Sequence, residues 1–456
     1  MTKVGSRMSG SGGELRRPCI VRSALRLGVV AVVVLYTVEF QPARAATWYV
    51  DSVAHGTGDG TSWQEAWMSF REIDWKRIAP GDTVLISGGT SVQMYTEQLS
   101  IGASGLPGRP ITISRAHDKE HGGIVVIEGG NSIPNGVVDR GHDYVVVSGL
   151  SVRNIADAGF FVSDVTGGVV VTDNEVYSGD PGGGNARGYD VRRAHGANAV
   201  TVVGNRYSTP PRTRAQTDGI YSMYNDGVVF QGNHIVIENE DPTGHSDGFQ
   251  SEQDTNVTFS GNFVSHPRGG DNNHGLWLDD TIAGGTIRVF NNTISMPVGD
   301  EVAISHWNKQ SNFTGRALIW NNTIYGGYYC IQLKSSPDSK VWNNILWPAP
   351  ERTAFFLSGR RPPPGAIDYN LVWTPRADSA VVDGRRGLVS WKAFGYDRHS
   401  LFSNPLLSDP AHGDFSLQPG SPAIGAGVTN FGQSRTTAGH WTVKPQDIGA
   451  QQGAPR

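Results

Sequence analysis

The sequence predicts an all-β fold, a parallel β-helix of roughly ten coils with an α-helical cap at its N-terminal end. The first observation is a repeat of segments that start 29, 27, 27 and 27 residues apart. These segments begin at Asp218, Asp247, His274, Glu301 and Tyr328. A fixed period in this range indicates one supersecondary unit stacked on copies of itself. The second observation is that each unit holds short β-branched and aromatic runs broken by Gly, Asn and Asp, without a helical period.

An asparagine recurs in or just after the second apolar run of each repeat. The recurring residues are Asn233, Asn262, Asn292, Asn322 and Asn344. Equivalent residues of stacked coils lie about 4.8 Å apart, the spacing of neighbouring strands. We therefore expect an internal ladder, in which each side-chain amide bonds to the coils above and below. The usual crossover rule makes this β-helix right-handed. A β-sandwich with accidental spacing is the alternative.

Residues 1–45 have the features of a secretory signal peptide. Four arginines between positions 16 and 26 precede the twelve-residue apolar run Leu27–Val38, and Ala43–Ala45 supplies a small-x-small cleavage site. The run is shorter than the about 20 residues that span a bilayer. We therefore expect cleavage near Ala45, a secreted or periplasmic protein, and no transmembrane span after cleavage. A retained membrane anchor is the alternative.

Charge and cysteine content narrow the classes of partner. Residues 1–45 hold seven Lys/Arg and two Asp/Glu, so removing them changes the formal net charge from −4 to about −9. A nucleic-acid partner requires a basic face, so none is expected. Cys330 is the one cysteine that remains after cleavage, and it is predicted to be a core residue of a strand. The mature chain is expected to be a monomer.

The mature chain divides into three predicted parts. Residues 46–130 form the cap helix and the first coils, 131–375 the β-helix core with the candidate active-site groove, and 376–456 a final coil and capping segment. The cap helix is predicted from Ser62 and Glu65, which form a capping box, and from apolar residues at helical spacing between Trp63 and Ile78. A second short helix is predicted at residues 388–396.

Both ends of the mature chain carry motifs of a known superfamily. Residues 48–130 contain, in order, Tyr-Val-Asp, Gly-Thr-Ser-Trp, Pro-Gly-Asp-Thr-Val and Gly-Arg-Pro-Ile-Thr-Ile. Residues 400–423 contain Ser-Leu-Phe-Ser-Asn-Pro and Gly-Asp-Phe-Ser-Leu. These motifs resemble the secreted β-helix proteins of the pectate-lyase-like (pectin-lyase-like) superfamily, most closely family 9 pectate lyases and their uncharacterised relatives. The resemblance implies the fold and a polysaccharide substrate, but superfamilies host many reactions.

Stacking the repeats places candidate functional residues on one outer face. The coil starts Asp218, Asp247, His274 and Glu301 form one column, and alternation along the strands points a second set outward. The outward set is Tyr221, Gln250, Glu252, Trp277, Asp279, Ile304 and His306. Acids beside arginines suit an anionic polysaccharide. We therefore predict substrate binding by Tyr221, Trp277, Gln250, Arg192, Arg212 and Arg214. A solvated face without function is the alternative.

The resemblance implies β-elimination assisted by Ca²⁺. Family 9 pectate lyases carry an Asp-Gly-Phe strand, a base lysine just after it, and calcium-binding aspartates. His245–Phe249 matches the strand, so the resemblance implies Asp247, with Asp218, as the candidate Ca²⁺ ligands. However, Glu252 replaces the lysine and His274 lies where an aspartate is expected, although Ca²⁺ prefers oxygen ligands. The candidate bases are therefore His274, His306 and Lys334, with Arg192 or Arg212 neutralising the uronate carboxylate.

Two other functions remain open. Hydrolysis needs two carboxyls about 5–5.5 Å apart for retention or about 6.5–9.5 Å apart for inversion. Glu252 and Asp279 share a position on adjacent coils, one stacking distance of about 4.8 Å apart. Hydrolysis by this pair is the first alternative, and a non-catalytic glycan-binding or surface β-helix is the second. We predict a polysaccharide lyase acting on a uronate-containing glycan. Its candidate catalytic residues are Glu252, His274, Asp279, His306 and Lys334.

Overall fold

The computed structural model describes residues 45–239, 241, 245–270, 273–299, 301–374, 387–428 and 447–450. The predicted signal peptide lies outside these residues, apart from Ala45. Three parallel sheets surround one core, and from Thr83 to Val372 successive strands enter the three sheets in turn. The predicted parallel β-helix of about ten coils is confirmed. One continuous apolar cluster fills its interior, from Trp48 to Tyr396.

The strands are short, and each sheet runs the length of the solenoid. Sheet 1 consists of Thr47–Val50, Thr83–Ile86, Ile111–Arg115, Val145–Ser148, Val169–Thr172, Val200–Val203, Val228–Gln231, Asn256–Ser260, Thr286–Phe290, Arg316–Trp320, Lys340–Trp342 and Ile367–Asp368. Sheet 2 consists of Val92–Tyr95, Ile124–Glu128, Leu150–Arg153, Glu175–Tyr177, Arg206–Ser208, His234–Val236, Phe263–Ser265, Thr293–Met296, Thr323–Gly326, Ile345–Trp347, Leu371–Val372 and Leu401–Phe402. Sheet 3 consists of Leu99–Ser100, Asn135–Arg140, Ala158–Ser163, Arg187–Arg192, Ile220–Met223, Asp247–Glu252, His274–Asp279, Val302–Trp307, Tyr329–Lys334 and Thr353–Ser358.

The predicted asparagine ladder is present and longer than expected. It comprises Asn174, Asn205, Asn233, Asn262, Asn292, Asn322, Asn344 and Asn370. The side-chain Nδ2 of each of the first seven donates to the Oδ1 of the next asparagine at 2.9–3.1 Å. The Nδ2 of Asn370 donates to Oδ1 of Asp397 at 3.0 Å. Each accepting Oδ1 also receives a backbone N–H of the preceding asparagine, as from Asn233 to Asn262 at 2.8 Å. The ladder therefore satisfies the buried amides at one corner of the coils and fixes their stacking.

The predicted α-helical cap is wrong. The segment forms turns and one 3₁₀-helix, Phe70–Glu72. The backbone N–H of Trp67 donates to Tyr49 at 3.0 Å, and its carbonyl accepts from Asp51 at 2.9 Å. Pairing with the first strand thus uses the groups that an α-helix would need. The apolar side chains still pack at this end, where Trp67 stacks on Trp48 with ring centres 5.5 Å apart.

The C-terminal segment adds Trp391 to the main core, where its ring stacks on Phe355 at 5.5 Å, and then packs beside sheet 2. It contains the α-helix Leu388–Ala393, which confirms the short predicted helix, the 3₁₀-helix Pro410–His412, and the antiparallel strands Leu407–Asp409 and Asp414–Leu417. The ring of Phe415 lies 6.3 Å from Phe263 and 6.1 Å from Tyr325, on the outer side of sheet 2. No helix in the described part of the chain is long and apolar enough to cross a bilayer.

Candidate functional site

Strand pairing in sheet 3 arranges its outward side chains in three columns. The first column contains Asp247, His274 and Val302, with Asp218 on the preceding coil. The second column contains Asp190, Tyr221, Gln250, Trp277, Ser305 and Gln332. The third column contains Arg192, Met223, Glu252, Asp279, Trp307 and Lys334. We call the outer surface formed by these columns the site face.

Glycines hold the first column close to the core. Asp218, Asp247 and His274 are each followed by a glycine that points inward. A Cβ atom at Gly248 would lie 2.3 Å from Cγ1 of Val264 and 2.6 Å from the carbonyl oxygen of the next coil. Only glycine fits this approach. The Asp-Gly and His-Gly pairs therefore bury the two carboxylates and the imidazole at the beginning of their strands in sheet 3.

The third column brings together three of the predicted catalytic residues, Glu252, Asp279 and Lys334. A lysine that the sequence did not single out, Lys309, pairs its Nζ with Oδ2 of Asp279. Burial raises the pKa of the Asp279 carboxyl, although the hydrogen bond and the charge of Lys309 act to lower it. Lys309 Nζ lies 5.4 Å from the ring centres of both Trp277 and Trp307.

Lys334 lies at the upper end of this column. Its Nζ is 4.4 Å from the ring centre of Trp307. Burial, and then the charge of Lys309, lower the pKa of Lys334. A lowered pKa increases the fraction of neutral amine, which is the form that accepts a proton.

Glu252 is held by two residues predicted to bind substrate. Tyr221 donates its hydroxyl proton to Oε2 of Glu252 at 2.8 Å, and Gln250 donates from Nε2 to Oε1 at 2.6 Å. Burial, and then the negative charge of Glu252, raise the pKa of Tyr221. Tyr221 therefore stays protonated and orients the glutamate.

The arginines of the lower coils are paired within the protein. Arg192 donates to both oxygens of Asp190, at 2.7 and 2.6 Å. Arg187 donates to Asp190 and Asp218, each at 3.2 Å, and lies 3.8 Å above the Tyr221 ring. The charge of Arg192 is thus largely compensated. Arg212 and Arg214 are exposed on the segment before Ile220–Met223, and substrate binding by them stays a prediction.

The predicted outward positions of His306 and Ile304 are wrong, as is the place of Glu301 in the first column. Val302, not Glu301, pairs with His274, and His306 pairs with the inward Leu278. A shift of one residue moves every side chain of a strand to the other face. His306 is fully buried, and its ring nitrogens lie 3.0 Å from Thr281 Oγ1 and 3.3 Å from Ser339 Oγ. Because it lies in the core, His306 does not face substrate, and burial lowers its pKa to about 3.

The two predicted Ca²⁺ ligands have different surroundings. Asp218 Oδ2 accepts from Arg187 at 3.2 Å and from Gln216 at 3.0 Å, while its Oδ1 accepts the backbone N–H of Asp247 at 3.1 Å. Burial, and then the nearby Asp247, raise the pKa of Asp218. Because hydrogen-bond donors already occupy both oxygens of Asp218, this residue is a poor ligand for a cation.

Asp247 instead lies between two imidazoles. Its Oδ1 accepts the backbone N–H of His274 at 2.8 Å and lies 3.1 Å from His274 Nδ1. Its Oδ2 is buried without a hydrogen-bond partner and lies 3.7 Å from Nε2 of His245. Ligand atoms of His245, Asp247 and His274 all lie within 4.8 Å of one another. His245 was not predicted, although its two-residue spacing from Asp247 places both side chains on one side of an extended chain.

Comparison with known proteins agrees with the fold. Residues 135–318 match the family model described as "Right handed beta helix region", so the chain contains a right-handed β-helix that includes the candidate site residues up to Lys309. The uncharacterized protein YwoF of Bacillus subtilis (strain 168) is 24% identical over 425 residues, covering 76% of this chain and 86% of YwoF.

Two solved structures of similar fold were also found. Pectate lyase Pel9A is 15% identical with a TM-score of 0.48, covering 89% of this chain and 96% of the lyase. The complex of XylC with xylose is 10% identical with a TM-score of 0.49, covering 79% of this chain and 87% of XylC.

Proposed function

We propose that this protein cleaves a uronate-containing polysaccharide by β-elimination on the site face. The observation that carries the proposal is the position of Lys334, an amine of lowered pKa packed on Trp307 in the column of Asp279 and Glu252. Elimination requires a base for the proton α to the uronate carboxylate and a cation beside that carboxylate. Lys334 supplies the first. Lys309 supplies the second, because it contacts only one oxygen of Asp279 and its side chain is 40% exposed, whereas Arg192 is bound to both oxygens of Asp190.

The aromatic rings provide the sugar platform. Trp277 and Trp307 are partly exposed, and their ring centres lie 6.1 Å apart in an edge-to-face arrangement. An indole face packs well against the apolar face of a sugar ring, and Lys309 lies above both rings. A uronate on this platform would place its carboxylate beside Lys309, whose position is fixed by Asp279.

In the proposed reaction, each lysine has a separate role. Lys334, as the neutral amine, takes the C5 proton, and the electron pair forms the C4–C5 double bond as the C4–oxygen bond breaks. Lys309 stabilises the negative charge that develops on the carboxylate and C5. The ammonium form of Lys334 can then return a proton to the departing oxygen.

Hydrolysis is the second candidate, favoured by one observation. Glu252 and Asp279 are paired residues on neighbouring strands, and Oδ1 of Asp279 is buried without a hydrogen-bond partner. The raised pKa of Asp279 suits a general acid. Its ion pair with Lys309 argues against this role, because a nearby cation favours the ionised carboxylate.

One screen separates these functions. The purified protein is incubated with pectate, alginate, glycosaminoglycans and neutral glycans, while ultraviolet absorbance of unsaturated product and new reducing ends are followed together. Elimination raises both signals. Reducing ends without absorbance would reject elimination and favour the Glu252/Asp279 pair. Binding of a glycan without either signal would favour a non-catalytic glycan-binding protein.

A further inference from the structure

The residues of the first column, which lie where individual strands of sheet 3 begin, do not fit the Ca²⁺ site that the sequence resemblance implies. Ca²⁺ takes six to eight oxygen ligands in proteins. Of the two expected carboxylates, Asp218 has both oxygens occupied by Arg187, Gln216 and a backbone N–H. The groups that converge on Asp247 are imidazoles.

We propose that His245, Asp247 and His274 bind a divalent transition-metal ion, with Zn²⁺ as the representative. Two imidazoles and one carboxylate form a ligand set that suits Zn²⁺ and neighbouring first-row metals. Ca²⁺, a hard cation, selects against nitrogen donors. The chemistry of the donor set thus distinguishes the two ions.

The second observation is the orphaned oxygen of Asp247. The side chain is fully buried, and its Oδ2 has no hydrogen-bond partner. A buried carboxylate oxygen without a donor or cation is destabilising. The orphaned oxygen is 3.7 Å from His245 Nε2. A cation bound between these atoms satisfies the carboxylate.

Metal binding requires the three ligand atoms to move only slightly closer together. The three ligand atoms lie within 4.8 Å of one another, while ligands of a tetrahedral zinc lie roughly 3.4 Å apart, given Zn–N bonds of about 2.0–2.1 Å. The side chain of His245 is 31% exposed and can make this adjustment by rotation. The Asp247 carboxylate is already held by the backbone N–H of His274, which donates to its Oδ1 at 2.8 Å.

The site would keep one coordination position for a non-protein ligand. Three protein ligands leave the fourth tetrahedral position to water or to a substrate oxygen. The His274 ring lies 4.1 Å from the Trp277 ring, so the ion would sit beside the predicted sugar platform. The proposal concerns binding alone and holds whether or not the protein eliminates uronates.

Metal binding is tested by calorimetry. The full chain is stripped with a chelator, dialysed, and titrated separately with Zn²⁺ and Ca²⁺. We expect one Zn²⁺ per chain and at least roughly tenfold weaker binding of Ca²⁺, as the nitrogen donors require. Co²⁺ should give the visible absorption of a tetrahedral site. Tighter binding of Ca²⁺ than Zn²⁺, or no metal binding, would overturn the proposal and leave a His245–Asp247 ion pair.

Substitutions locate the site. His245→Ala and His274→Ala should each lower Zn²⁺ affinity by more than the roughly 100-fold that loss of an outer hydrogen-bond partner can cause. The control is His399→Ala, which removes another imidazole paired with an aspartate, Asp368 at 2.7 Å, and should leave affinity unchanged. Circular dichroism verifies folding. If His274→Ala fails to fold, His245→Ala decides, and unchanged affinity in that variant refutes the site.

Discussion

The ammonium nitrogen of Lys334 lies 4.4 Å from the centre of the Trp307 ring, and the two residues are direct partners on adjacent strands. The indole face attracts the charged ammonium, whereas burial and the neighbouring Lys309 favour the neutral amine. Burial and the charge of Lys309 prevail, so the pKa of Lys334 is lowered. The protonation state of this lysine is therefore the quantity on which the proposed elimination depends.

Replacing Lys334 should remove elimination. Lys334→Gln loses the base, and loss of general base catalysis lowers rates by about 10²–10⁴-fold. The rate of ultraviolet absorbance increase measures this effect on the uronate polymer that the screen identifies. Lys340→Gln, on a sheet 1 strand away from the site face, is the matched control. An unchanged rate in Lys334→Gln would show that another group is the base.

The pH profile should depend on Lys309. Because the base must be neutral, activity should rise with pH as Lys334 loses its proton. This rise should occur at a pH below the pKa of an ordinary lysine, since the pKa of Lys334 is lowered. Lys309→Gln removes a cation that lowers the pKa of Lys334. The rising limb of kcat/KM against pH should therefore move to higher pH in this variant, in addition to any fall in rate. A limb that stays in place would exclude Lys334 as the titrating base.

Carboxylate substitutions separate elimination from hydrolysis. Under elimination, Glu252→Gln should lower the rate less than about tenfold, well below the loss of a general acid or base. Asp279→Asn removes the ion pair that holds the Lys309 ammonium group, so any effect on the elimination rate should come from the displaced Lys309. Under hydrolysis, each substitution should abolish the production of reducing ends. Measuring reducing ends and absorbance for both variants distinguishes the two patterns.

Breaking the asparagine ladder should destabilise the protein. Asn262→Ala removes the acceptor of the Asn233 backbone N–H at 2.8 Å and the donor to Phe230 at 3.1 Å. Each buried group left without a partner costs about 1–3 kcal/mol, so losing the partners of these two groups should lower the free energy of unfolding by at least about 2 kcal/mol. Denaturant unfolding measures the change. The exposed Asn312→Ala should differ from wild type by less than about 0.5 kcal/mol.

Burial of neutral His306 should make stability depend on pH. Its pKa is about 3 in the folded protein and 6.5 when exposed. The unfolded chain therefore binds more protons between these values, and the stabilisation present above about pH 6.5 is lost as the pH falls towards 3. His306→Asn should lose less thermal stability than wild type between pH 7 and 4.5. The exposed His412→Asn serves as control, and equal losses in all three proteins would contradict the prediction.

The repeat predicted the fold because each coil must bury its own apolar run against its neighbours. The asparagine ladder followed from the same period and is confirmed from Asn174 to Asn370. The cap helix could not be predicted, because tertiary pairing of Trp67 with the first strand overrides a helical pattern of apolar residues. Local periodicity reports which side chains are buried and leaves open which backbone groups pair.

The candidate site was predictable only in part, because coil length varies. The spacing from Asp247 to His274 was assumed to continue to Glu301, but one more residue enters the next coil, and His306 moves into the core. Lys309 lies in a turn after the strand Val302–Trp307, and its pairing with Asp279 depends on the path of that turn. Turn conformation is set by packing, so strand alternation could not reveal this lysine.

The ladder has a consequence for how such a chain can evolve. Each asparagine between the two ends uses one neighbour above and one below, so every internal rung is equivalent. Duplication or loss of a whole coil outside the site face would join the same two surfaces again and leave no amide without a partner. Length can therefore change by tandem duplication in steps of one coil, whereas insertions of other sizes must be accommodated in the turns.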